Sequence, residues 1–121
     1  MTPPEQGAVD MGEAVQRLLD LEELRRLKAR YFRSIDTQQW DEFAEVFTED
    51  AVLEVPEVDA VMEGREAIVS MVSSALAGAT TAHHGHMPEI DVTGPDSATG
   101  IWAGSNVANV TGRGNRSAAA R

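Results

Sequence analysis

Apolar residues return at three- and four-residue steps through the first third of the chain. Leu21, Leu24, Leu27 or Lys28, Tyr31 and Ile35 fall on one side of a helical projection, while Arg25, Arg26, Arg30 and Arg33 lie largely outside that stripe. The spacing predicts an amphipathic helix over about 12–36 with one buried face. Trp40, Phe43, Ala44 and Phe47 repeat the pattern over a shorter span, so a second helix is expected at 40–47. Ala51–Val55 is rich in β-formers and is stopped by Pro56, which reads as a short strand. Gly64 and Arg65 open a third helix to about residue 77, with Ile68, Met71, Val72, Ala75 and Leu76 as its apolar face and Gly78 as its stop.

A strand pair should follow, at 80–93 and 97–103, joined by the turn-rich Thr93-Gly94-Pro95-Asp96. Pro88 interrupts the first strand. It cannot donate to a ladder, and the apolar positions change phase across it, from Met87 on the odd face to Ile90 and Val92 on the even one. A bulge near Pro88 accounts for both facts. Ahead of it, Thr81, His83, Gly85 and Met87 share one face, and His84 and His86 share the other.

At 121 residues with 42% hydrophobic content, the chain is long enough for one core and too short for two. It has no cysteine, hence no disulfide framework, thiolate zinc site or cysteine nucleophile. No apolar run approaches a membrane span, and the first residues lack the basic start and apolar core of a leader, so a cytoplasmic protein is expected. A net charge of −10 opposes binding to nucleic acid or to an anionic membrane. All 20 acidic residues precede Gly104, whereas Gly104–Arg121 carries three arginines, no acid and many Gly, Asn and Ser residues. Three regions are therefore expected: a flexible arm at 1–11, an α+β domain at 12–103, and an atypical, disordered tail at 104–121.

All three histidines, His83, His84 and His86, fall within TTAHHGHMPEIDV, and Tyr31 and Asp36 lie near the end of the first helix. A tyrosine, a carboxylate and an imidazole that meet in an apolar pocket form an acid/base set for proton transfer or elimination. Each has a plainer role available. Asp36 stands three residues before Gln39, as in a capping box for the second helix. Tyr31 sits at a core spacing, and His83 can be a hydrogen-bonded core residue. His84 and His86, one residue apart on a strand, invite a metal reading, but the spacing to Glu89 is too short and the helical N-terminal half is wrong for an all-β metal site; no metal and no cofactor are expected. Gly64-Arg65 lacks the Gly-rich run and the Lys-Ser/Thr of a phosphate loop.

The order of RYFRSID, WDEFAEVFTEDAV, GREAI, AHHGHMPEI and the G-x-D-x-A-T-G turn resembles the SnoaL-like branch of the nuclear transport factor 2-like superfamily, near bile-acid and scytalone dehydratases. The resemblance covers about Leu18 to Ala103. It implies an α+β cone, in which a strongly curved antiparallel sheet wraps around the long N-terminal helix and encloses an apolar cavity. It also implies a hydrophobic small-molecule ligand or substrate, a homo-oligomer (dimer or trimer), and a lyase, dehydratase or isomerase acting on a polycyclic or steroid-like molecule. Carried over residue by residue, the family's set falls on Tyr31, Asp36 and His83, with the histidine as base and the carboxylate orienting it. Members usually continue with two long strands rich in aromatic and aliphatic residues. The tail here departs from that pattern, so the fold is expected to miss its last strands, as in a truncated or frame-shifted product. A non-catalytic binding or assembly module, or an inactive product, is the alternative.

Overall fold

A computed structural model of the chain describes residues 10–110 and 115–120. Helix α1 spans Met11–Asp36, and its first turn is closed by the Asp10 carboxylate, which accepts from the Glu13 N–H at 3.1 Å. Only its C-terminal end is buried, at Ser34 and Ile35, while Leu18 near the other end is 65% exposed. Gln38 then takes a left-handed backbone (φ 55°) and ends the helix. Its side-chain amide donates to the carbonyls of Leu76 and Ala79, at 2.9 and 3.0 Å, which ties this corner to residues far along the chain. Helix α2, Trp40–Glu45, is two residues shorter than expected and buries Phe43 completely.

Strand β1 (Val52–Val55) pairs antiparallel with a strand the sequence did not announce, β2 (Ala60–Glu63). Pro56 ends β1 as expected but opens a single 3-10 turn, and Asp59, at φ 51°, reverses the chain into β2. Four residues between Asp59 and Gly64 are too few to show a period. Helix α3, Arg65–Ala75, starts behind Gly64, whose φ of 93° is open to glycine alone at little cost. The Arg65 guanidinium donates to the Phe47 carbonyl, with Nε at 2.9 Å, and fastens the end of α2 to the start of α3. Ile35, Phe43, Met62 and Ile68 form the core, one from each of α1, α2, β2 and α3, with Tyr31, Trp40, Phe47, Leu53, Val72 and Leu76 packed around them.

The remaining strands form two hairpin segments placed end to end. β3 (Ala79–Gly85) pairs with β6 (Gly104–Val110), and β4 (Glu89–Gly94) pairs with β5 (Ser97–Ile101), all antiparallel. Between the segments three residues intervene on the β3–β4 side and two on the β5–β6 side, because Gly85 faces Gly104 whereas Glu89 faces Ile101. That extra residue is the bulge expected at Pro88. The phase change follows: Ala79, Thr81 and His83 are half-buried before it, and Ile90, Val92 and Gly94 after it. Met87, expected on the His83 face, instead lies in the bulge and is 92% exposed.

The tail differs from expectation. Gly104–Val110 forms β6 along β3, and β7 (Asn115–Ala120) pairs with β6 in turn, giving the order β3-β6-β7. A free ladder edge on β3 recruits backbone groups whatever the side chains prefer, and β-propensity yields to that context. Residues 111–114 and 121 of the expected tail, and residues 1–9 of the expected arm, lie outside the described residues; Asp10 and Met11 cap and open α1. Among the described residues no helix is long and apolar enough to cross a membrane.

Candidate functional site

Asp36 is the last residue of α1, where the helix dipole disfavours a negative charge. Three donors compensate. Oδ1 accepts from the Thr81 hydroxyl at 2.8 Å and lies 2.6 Å from His83 Nδ1, while Oδ2 accepts from the His83 backbone N–H at 2.9 Å. Thr81 and His83 reach it together because they share a face of β3, two residues apart. Burial alone would raise the Asp36 carboxyl, but the hydrogen bonds from the His83 ring, the His83 N–H and Thr81, together with attraction to the imidazole, hold it below the usual aspartate range. The capping role is corrected: Gln39 is the N-cap of α2, with no side-chain cap, and the Asp36 carboxylate is committed to β3.

An ionised Asp36 can only accept, so Nδ1 of His83 carries the proton across the 2.6 Å contact. In the neutral ring Nε2 then holds a lone pair. This tautomer is assigned from the hydrogen-bond network. Both side chains are well shielded, at 14% exposure for His83 and 24% for Asp36. Phe32 stacks on the imidazole, with ring centroids 6.1 Å apart and planes 18° from parallel. Gly85 makes room for that ring, since a Cβ there would stand 3.0 Å from Phe32 Cζ.

His83 borders a cavity of about 530 Å³. Lys28, Tyr31 and Phe32 of α1, Leu53 and Val55 of β1, Val72 of α3 and Leu76 at the α3 C-cap supply much of its wall, and Asp36 stands behind the histidine, outside the lining. Tyr31 therefore shares the cavity with His83, braced by edge or tilted contacts to Phe32, Phe43 and Phe47 with centroids 5.4–6.0 Å apart. Burial pushes the Tyr31 phenol upward, so it stays protonated and can donate. His84 and His86 are exposed; His84 also contributes to the cavity wall. Among the described residues no three of His, Cys, Asp and Glu come together so as to hold a metal ion.

Two lining residues escaped the sequence reading. Asn106 of β6 stands directly opposite His83 in the ladder, with Nδ2 3.5 Å from His83 Nε2. An ordinary period-2 reading of GSNVANV would turn Val107 inward, and the observed face is the opposite one. Lys28 was visible as the one charged residue on the apolar stripe of α1, and its ammonium lies over the rings of Tyr31, Phe32 and Trp102.

The profile of the SnoaL-like domain matches residues 16–120 of the chain. Among solved structures, a protein from Novosphingobium aromaticivorans DSM 12444 assigned as a scytalone dehydratase superposes with a TM-score of 0.76 at 20% identity, covering 84% of this chain and 69% of that one. The type 3 hexachlorocyclohexane dehydrochlorinase LinA from Novosphingobium barchaimii LL02 gives 0.77 at 19% identity, covering 88% and 74%. The β subunit of the benzoate 1,2-dioxygenase from Burkholderia mallei ATCC 23344 gives 0.68 at 16% identity, covering 82% and 74%. Similarity at these identities establishes the fold, which is the helix-wrapping antiparallel cone expected from the sequence.

Proposed function

We propose that this chain, which belongs to the SnoaL-like domain family, is a cofactor-independent lyase or isomerase that works by proton abstraction from a hydrophobic small molecule. The observation that carries the reading is the 2.6 Å contact from Asp36 Oδ1 to His83 Nδ1, with the histidine on the cavity and the carboxylate behind it. A carboxylate in that position fixes the tautomer, makes Nε2 the accepting nitrogen on the cavity side, where Asn106 Nδ2 lies 3.5 Å away, and stabilises the imidazolium that forms. In an elimination Nε2 takes a proton from a ring carbon, the C–H electron pair becomes the new C=C bond, and the leaving group departs with its own bonding pair. Tyr31 donates to the departing atom: a hydroxyl leaves as water with the phenol's proton, which the imidazolium restores through solvent. Chloride leaves without needing that proton. In an isomerisation the same proton returns to a different carbon.

The structural neighbours include proteins named for loss of water and for loss of hydrogen chloride, which suggests scytalone and hexachlorocyclohexane as first trial substrates. Turnover should fall by about 10²–10⁴-fold in His83→Ala and Asp36→Asn with substrate binding little changed. Tight binding of ligand without turnover, equal in wild type and His83→Ala, would instead support the non-catalytic binding module. A cytoplasmic homo-oligomer, dimer or trimer, is part of the same reading and is supported by exposed apolar residues such as Val61, Ile101 and Met87. Light scattering on the full chain tests the oligomeric state.

A further inference from the structure

The mechanism leaves the lysine of the cavity wall unused. Lys28 stands one helical turn before Tyr31 and Phe32 on α1, and its Nζ lies 4.4, 5.1 and 5.5 Å from the ring centroids of Tyr31, Phe32 and Trp102. Trp102 sits between β5 and β6, and its ring crosses Gly100, where a Cβ would come 2.8 Å from the indole Cη2. The third ring of the cage is thus held in place by a missing side chain. Among the described residues the ion pairs are Arg33–Glu42 and His83–Asp36, and Lys28 has no hydrogen bond or carboxylate partner. Glu54 and Glu57 also border the cavity, but both are solvent-exposed and neither is within ion-pairing distance of it. Three rings attract the cation without using its N–H groups, so the ammonium keeps its donors for a ligand.

We propose that Lys28 is the ligand-orienting cation of the cavity: it takes an anionic oxygen, a carboxylate or phenolate, carried by an aromatic or polycyclic ligand. With the oxygen anchored there, the ligand body lies between Tyr31, Phe32 and the apolar wall and presents another atom to His83. In a protein of net charge −10 a preference for anions must arise from a local cation. The partial loss of hydration at Lys28, which burial signals by lowering its pKa, makes it a stronger donor to a charged oxygen than a surface lysine. The inference rests on reading the cavity as a ligand pocket and is independent of whether His83 acts as a base.

Calorimetric titration of the full chain at pH 8 with 2-naphthoate and 2-naphthamide tests it, since the two probes share a body and differ in charge. Wild type should bind the carboxylate at least about tenfold more tightly than the amide, as expected for a charged hydrogen bond. Lys28→Met, which keeps the stem, should bind both equally, and Lys28→Arg, which keeps the charge and the ring contacts, should retain the preference. His83→Ala should also retain it, so a failed acid/base reading and a failed Lys28 reading give different results. No preference in wild type, no binding of either probe, or a preference that survives Lys28→Met would overturn the proposal.

Discussion

Replacing Asp36 by Asn keeps size and shape but removes a charge from a site with three donors, the Thr81 hydroxyl, the His83 N–H and the His83 ring. The amide oxygen can serve one side of the group. Its NH₂ then faces a donor on the other side, and either the His83 N–H or the Thr81–His83 ring pair loses its acceptor. Hydrogen bonds to charged groups contribute roughly 1.5–3 kcal/mol each, and neutral ones about 1. Since Asp36 is still 24% exposed, water partly rescues the orphaned donor, and the net loss should be about 2 kcal/mol. For a domain of this size that lowers Tm by roughly 6–10 °C at neutral pH. The pH dependence has a fixed sign. The Asp36 carboxyl is lower in the folded state, so its contribution is complete above the unfolded aspartate value of about 3.9 and is lost as pH falls through the folded value. Melting curves of wild type and Asp36→Asn should therefore run parallel above about pH 5 and converge in acid. Long-range ¹H–¹⁵N correlation should find the His83 proton on Nδ1 in wild type. A neutral ring with its proton on Nε2 alone, or a stability difference that persists unchanged in acid, would refute the assignment of an ionised carboxylate to this bond.

Other consequences follow from the same geometry. Gln38→Ala leaves the Leu76 and Ala79 carbonyls without their amide donor and should cost about 1–2 kcal/mol in urea unfolding, with no change in the slope. Gly85→Ala drives a methyl into the Phe32 ring and should destabilise by about 1–3 kcal/mol, a loss that Phe32→Leu in the same chain should partly recover. Tyr31→Phe retains the ring contacts to Phe43 and Phe47, so the melting temperature should hold within a few degrees while turnover falls on any substrate that loses hydroxide; a substrate that loses chloride should be affected far less.

Where side chains alternate in the expected sense, the sequence was readable. The half-buried His83 and the exposed His84 follow from period 2 counted forward to the break at Pro88, although His84 also borders the cavity, and Asp36 could be placed because Ile35 closes the apolar stripe of α1. Three things were illegible for physical reasons. β2 is too short to display a period. Asn106 could not be placed because β6 reverses the usual alternation: Asn106 is half-buried while Val107 is 43% exposed. Propensity reads such a run as coil, although the backbone partner is β3 and the inward polar residue faces a cavity. The third is the commitment of Asp36 to β3 rather than to the α2 cap, a choice made by residues 45 and 47 positions away and invisible to any local rule.

The extra residue at Pro88 also bears on how such a chain can evolve. It inverts the phase of the long hairpin, so the half that carries His83 turns odd-numbered residues toward α1 and the far half turns even-numbered ones, with Val92 reaching the same cleft as Leu24. A deletion of one residue there would turn Ile90 and Val92 to solvent and bring Glu89 and Asp91 against the helix, while leaving the ladder around His83 in register. The distal hairpin can thus exchange its face by drift at a single hinge residue, and the surface around Val92 and Leu24 becomes open to selection without disturbing the Asp36–His83 contact.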